Sequence, residues 1–107
     1  MPEKSTPPEP GPADTAGGEI KTTLTIVNSR GLHARASARF VQVAEQFKAD
    51  ISVSRDGQTV PGTSIMGLMM LAAAQGSTIE VAATGSQAEM ALKAIKELVE
   101  DGFGERD

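Results

Sequence analysis

The apolar period along residues 20–101 switches repeatedly between two and 3.6, and turn residues mark the switches. That pattern confines the chain to a mixed fold in which short strands and helices alternate. Ile20 to Val27 reads as a strand with Thr22, Leu24 and Ile26 on one face, dense in β-branched residues. Asn28-Ser29-Arg30-Gly31 is a turn, and from Ala34 to Gln46 the period becomes helical, with Ala36, Phe40, Val43, Ala44 and Phe47 on one stripe. Ile51 and Val53 alternate with Ser52 and Ser54. Asp56-Gly57 then predicts a hairpin, because both turn positions tolerate positive φ. Gln58 to Val60 returns as a short strand that Pro61-Gly62 ends.

Ser64 is placed to cap a short helix through Leu71, with Ala72 to Gln75 available to extend it and Gly76 to stop it. Gly67 inside that helix costs about 1 kcal/mol relative to alanine, so packing or a close approach must hold it. Thr78, Glu80 and Ala82 alternate with Ile79, Val81 and Ala83 in a fourth strand. Ser86-x-x-Glu89 reads as a capping box opening a helix with Ala88, Ala91, Leu92, Ile95, Leu98 and Val99 on its stripe. Gly102 to Asp107 reads as a frayed end. The expected order is β-α-β-β-α-β-α. Four strands and three helices in about 85 residues suit an α+β fold, a four-stranded antiparallel sheet with all helices on one face.

Residues 1–19 are different. They hold five of the six prolines and four acids against one lysine, with no apolar run. Such a segment buries too little apolar area to offset the entropy of ordering, so it is expected to be a disordered extension before a folded domain over 20–105.

Composition removes several function classes. There is no cysteine, so disulfides, thiolate chemistry and Cys-based zinc sites are excluded, and one histidine cannot build a His-rich metal site. No cofactor or metal is expected. The net charge is −4, with no tryptophan or tyrosine, which argues against nucleic acid. No apolar stretch approaches a membrane span, and the N-terminus lacks signal-peptide features. The expectation is a cytoplasmic monomer meeting transient partners.

One constellation could carry chemistry. Gly31-Leu32-His33-Ala34-Arg35 joins the first strand to the first helix and puts His33 at the helix start. The amides of the next residues have no intrahelical partner, and the dipole is positive there. That position disfavours an imidazolium and leaves a neutral ring nitrogen as a nucleophile. Arg35 lies in the same turn, and its guanidinium forks onto phosphate oxygens. Together these describe a phosphoryl site, while a satisfied surface histidine fits the same spacing. Arg30 and Arg39 either extend a positive rim or are simply solvated.

The second helix is odd in another way. Ile65, Met66, Leu68, Met69, Met70 and Leu71 are six large apolar residues in seven. A short helix on a sheet buries about half its girth, so the rest is core filling or a docking surface, for which methionine is adaptable. Phosphorylation of Ser64 at its start would add roughly two negative charges beside that patch.

With these residues in view, the chain resembles the histidine-containing phosphocarrier family, HPr. The resemblance rests on Gly31-Leu32-His33-Ala34-Arg35 after a short strand and on Thr63-Ser64-Ile65-Met66-Gly67-Leu68-Met69 some thirty residues on, with a similar exit at Gly102-Phe103-Gly104-Glu105. It covers about residues 20–105. It implies the family's open-faced β-sandwich and a carrier rather than a free-standing enzyme. It further implies that phosphorylated enzyme I passes a phosphoryl group to Nδ1 of His33, and that His33 passes it to a histidine of a IIA-type protein. Arg35 matches the arginine that stabilises the phosphoryl group. Ser64 matches the serine modified by HPr kinase/phosphorylase in some members. Ile65, Met66 and Met69 match partner-contact residues, with Ala34 and Ala38 on the neighbouring helix.

Ala36 stands where the family usually has proline after the arginine, a change that leaves one more amide donor near the site. The motifs look most like alphaproteobacterial members, which often serve a regulatory, nitrogen-related chain. Sugar uptake and a regulatory binding module switched at His33 or Ser64 are the alternatives. A small phosphatase-like hydrolase lacks a water-activating group at a defined spacing.

Overall fold

The computed structural model describes residues 18–105, so the expected disorder of the N-terminal extension concerns residues that lie almost wholly outside the described ones. The elements run β1 (Ile20–Thr25), α1 (Ala34–Ala44), β2 (Asp50–Arg55), β3 (Gln58–Pro61), α2 (Ile65–Met70), β4 (Thr78–Thr84) and α3 (Ala88–Glu100), followed by a short 3-10 turn over Gly102–Gly104. The order β-α-β-β-α-β-α is the expected one. All strand pairs are antiparallel and the sheet order is β1-β4-β2-β3.

Register explains why one face is apolar. Leu24 pairs with Ile79, Val53 with Val81, and Ile51 with Ala83, so side chains of one parity line up across the strands. These residues are buried with Phe40, Leu68, Ala91, Ile95 and Val99 from the three helices in a single core. Lys21, Thr23, Ser52, Ser54 and Glu80 take the opposite parity, which leaves that face open. Asp56 and Gly57 both have positive φ, as the hairpin signal requires.

The elements depart from the expected bounds where tertiary contacts intervene. α1 ends at Ala44, and Gln46 and Phe47 close it with bonds to the carbonyls three residues back. α2 does not extend through Gln75. Ala72 adopts φ 53, Arg55 Nη1 donates to the Leu71 carbonyl at 3.0 Å, and the Ala73 carbonyl accepts from Leu32 N. The left-handed backbone at Ala72 ends the helix, and the segment beyond it closes on the β1–α1 loop. The capping box at Ser86 does not form. Gln87 is the N-cap of α3 without a side-chain cap bond. Its Oε1 accepts from Lys48 N at 2.7 Å and its own amide donates to the Lys48 carbonyl, tying α3 to the α1–β2 connection.

The exit is not frayed over its described part. Phe103 is fully buried, and Gly102, Phe103 and Gly104 have φ of 64, 58 and 75. Left-handed backbone at Phe103 costs about 1–2 kcal/mol, which burial of a phenylalanine, about 1.5–3 kcal/mol, offsets. Periodicity could not register this, because the apolar anchor is a single residue between glycines. Among the described residues no helix is long and apolar enough to cross a membrane.

Candidate functional site

The loop from β1 to α1 is held from three sides. Gly31 has φ 65, and a Cβ there would lie 2.3 Å from the Ala73 carbonyl oxygen, so only glycine allows the loop to close on the segment after α2. Leu32 N donates to that same carbonyl at 3.0 Å, and the buried Ser37 hydroxyl donates to the Leu32 carbonyl at 3.2 Å. Buried Asn28 spans the turn, its Nδ2 donating to the Gly31 carbonyl at 2.9 Å. His33 therefore enters α1 from a braced loop.

His33 is the N-cap of α1 with φ −75 and ψ −178, and its ring makes no cap bond to the helix. Ser37 N donates to the His33 carbonyl, the first bond of the helix. The amides of Ala34, Arg35 and Ala36 have no carbonyl one turn back. Ala36 itself is buried and is the third residue of α1, within the first turn, where the absent proline would also lack an intrahelical partner for its nitrogen. His33's side chain is 22% exposed and Arg35's 60%, so the ring is half-buried and the guanidinium lies in solvent.

Glu105 is the residue that sequence reading did not assign. It comes from the far end of the chain, and Oε2 takes a hydrogen bond from His33 Nε2. The same oxygen lies 3.6 Å from Arg35 Nη2, while Oε1 accepts from Asn28 Nδ2 at 3.0 Å. Burial opposes ionisation of this carboxyl, but hydrogen bonds from Asn28 and His33 and the charges of His33 and Arg35 outweigh it and hold the group below its usual value. The residues Phe103-Gly104-Glu105 carry no periodic signal that would have pointed to a site. Arg39 is not a free rim cation, since its Nη1 donates to the Phe103 carbonyl at 2.8 Å and so fixes the exit on α1. Arg30 is exposed.

The second expected feature is also present. Ser64 caps α2, its hydroxyl accepting from Gly67 N at 2.9 Å. Gly67 is a close-approach glycine: a Cβ would come within 3.0 Å of both Val60 and the Ser64 hydroxyl. α2 can therefore lie tight on β3, with Leu68 and Leu71 buried. Ile65, Met66, Met69 and Met70 remain exposed, Met66 at 73%. The helix thus fills the core with one side and leaves its remaining apolar residues exposed on the other. α1 packs against α2, and Ala34 on α1 is exposed while Ala38 is half-buried. Among the described residues no group of three His, Asp or Glu side chains could hold a metal ion.

Comparison with known proteins agrees with this geometry. A family model described as the PTS HPr component phosphorylation site matches residues 20–101. The phosphocarrier protein HPr of Neisseria meningitidis serogroup A is 46% identical over 86 residues, covering 80% of this chain and 97% of that protein. The phosphocarrier protein NPr of Escherichia coli K12 is 38% identical over 87 residues, covering 80% of this chain and 97% of that protein. Among solved structures, HPr from Thermoanaerobacter tengcongensis superposes with a TM-score of 0.78 at 42% identity, covering 82% of this chain and 99% of that one.

Proposed function

Because this chain belongs to the HPr family of phosphocarrier proteins of the phosphotransferase system, we propose that His33 is its phosphoryl acceptor, loaded at Nδ1 by phosphorylated enzyme I and discharged to a histidine of a IIA-type protein. One observation carries the reading: the chain's single histidine stands half-buried at the open amide end of α1 with the exposed Arg35 beside it. The protein is a carrier, so it needs little catalytic machinery. Donor and acceptor both bring a histidine, and the transfer is nearly symmetric in chemistry. The chain's task is to orient one ring and to present charge for the moving phosphoryl oxygens. Helix amides and the Arg35 guanidinium supply that charge without a metal. Incubation with enzyme I and labelled phosphoenolpyruvate tests the proposal. The expected product carries acid-labile, alkali-stable label, and an unlabelled protein beside an active enzyme I would overturn it.

The acceptor we infer is a nitrogen-type IIA protein in a cytoplasmic regulatory chain, a reading supported by the likeness to NPr. Greater identity to proteins named HPr favours sugar uptake instead. Discharge rates to a nitrogen-type and a sugar-type IIA protein, compared side by side, separate the two.

Docking is assigned to the patch of Ile65, Met66 and Met69 on α2, with Ala34 and Ala38 on α1. Ile65, Met66 and Met69 are exposed large apolar side chains, and the same surface must serve donor and acceptor in turn. Met66→Glu places a charge on the most exposed of them and is expected to raise the KM for enzyme I about tenfold or more. Its stability should change by no more than about 0.5 kcal/mol, because the side chain is outside the core. Unchanged transfer kinetics would remove the patch from the mechanism.

Ser64 is the proposed regulatory site, open to an HPr kinase/phosphorylase. A phosphate on its hydroxyl would stand at the edge of the docking patch and oppose an acidic partner surface. Ser64→Asp is expected to slow loading by enzyme I roughly threefold or more at low salt. Loading at the unmodified rate would count against inhibition.

A further inference from the structure

We propose that Met66 and Met70 of α2 form a reversible oxidation site: a hydroperoxide converts their thioethers to sulfoxides and turns the docking face from apolar to polar while the fold stays intact. The inference rests on the docking role proposed for α2.

Methionine is among the side chains most often buried, yet the core of this protein holds none. All four methionines among the described residues, Met66, Met69, Met70 and Met90, are exposed, and three of them share a helix of six residues. Met66 and Met70 stand four positions apart and so lie side by side on one face of α2, with Met69 flanking them. Met70 is 66% exposed, second only to Met66. Both side chains therefore meet a dissolved oxidant without any opening of the structure. The chain has no cysteine, tryptophan or tyrosine to consume that oxidant first, so its thioethers are the readiest electron donors it has.

The helix does not depend on these sulfurs. Leu68 and Leu71, aliphatic and inert to peroxide, attach it to the core. Ser64 Oγ accepts from Gly67 N at its start, and Arg55 Nη1 donates to the Leu71 carbonyl at its end. α2 is thus fastened at both ends and along one side by groups that oxidation leaves alone.

The step balances with a hydroperoxide as co-reactant. A sulfur lone pair attacks the outer peroxide oxygen, and the S–O bond forms as the O–O bond breaks. The electron pair of that bond leaves on the inner oxygen, which takes the proton of the outer one and departs as water or an alcohol. Sulfur is oxidised by two electrons and the peroxide is reduced by two. Two thiols reverse the change through a sulfoxide reductase, giving back the thioether with one disulfide and one water. A sulfoxide oxygen is a strong acceptor, and a docked apolar surface strips it of water without offering a donor. That cost falls on the complex and not on the free carrier, so affinity drops and stability does not.

The test uses the full chain, treated with hydrogen peroxide and freed of it before enzyme I is added. Peptide mass mapping is expected to show sulfoxide forming at Met66 and Met70 within about threefold of the rate for free methionine. The Tm should stay within about 2 °C of the untreated protein. KM for enzyme I in the loading reaction should rise about tenfold, with kcat changed less than about twofold. Sulfoxide reductases for both epimers, supplied with thiol, should return KM to its starting value. Each variant serves as its own reference. The ratio of treated to untreated KM should stay near one in the double variant Met66→Leu/Met70→Leu. It should remain about tenfold in Met90→Leu, which removes the exposed thioether of α3 and keeps those of α2. Oxidation at Met66 and Met70 more than about tenfold slower than free methionine, or the same ratio in the double variant as in the unmodified chain, overturns the proposal. Met66→Glu separates this inference from the reading beneath it. If that variant raises KM and oxidation does not, the oxidation site alone fails; if neither raises KM, the docking reading fails with it.

Discussion

His33→Ala is expected to abolish phosphoryl acceptance from enzyme I and to leave a folded protein. The loss is total because no other imidazole exists in the chain and no thiolate can substitute for it. The fold should survive because His33 contributes no side-chain cap to α1, and Ala34 onward propagates the helix without it. What the substitution removes is one hydrogen bond to Glu105, which keeps Asn28 and Arg35 as neighbours. A cost of about 1–2 kcal/mol is expected, small beside a typical domain stability of about 5–15 kcal/mol. Labelling with phosphoenolpyruvate and enzyme I reads the first effect and a thermal melt reads the second. An alanine protein that still carried acid-labile label would show that His33 is not the acceptor.

Gly31→Ala should be the most damaging single-methyl change near the site. Its added Cβ would stand 2.3 Å from the Ala73 carbonyl oxygen and 2.9 Å from Ala74 Cα, both backbone atoms that cannot rotate away. A left-handed alanine adds about 1–2 kcal/mol, and forced separation of packed backbone adds about 1–3 kcal/mol. A loss near 3 kcal/mol is expected, or roughly 10–20 °C in Tm for a domain of this size. The same methyl pushes the His33 loop away from the end of α2, breaking the bond from Leu32 N to the Ala73 carbonyl. Loading by enzyme I should therefore fall at temperatures where the variant is still folded, because the His33 loop and α2 no longer keep their spacing. A melt within about 3 °C of the unmodified protein would show that the two segments are not tightly joined.

These two positions differ in how readable they were. His33 stood out because a lone histidine, an arginine two residues on and a helix start are neighbours in sequence. Ser64 was legible for the same reason: its hydroxyl caps the amide three residues ahead. The hairpin at Asp56-Gly57 and the apolar parity of β2 and β4 were equally local. Gly31 read only as part of a turn, since nothing near it announces the Ala73 carbonyl. Ser86 offered a good capping box on spacing, yet Gln87 won the position by bonding Lys48 from the other end of the core.

What the sequence by itself determined is therefore the order of elements, the face each buries and the acceptor candidate. Each of these depends on interactions within about four residues or on periodicity along one element. Only the tertiary structure decided where α2 stops, because Ala72 turns left-handed where the segment beyond it closes on the β1–α1 loop. Only it placed Glu105 on His33, two residues separated by nearly the whole folded chain and joined through a buried Phe103 and the Arg39 bond to its carbonyl. Hydrogen bonds between distant residues leave no period in a sequence. Their partners become neighbours only once the core has drawn the two ends of the fold together.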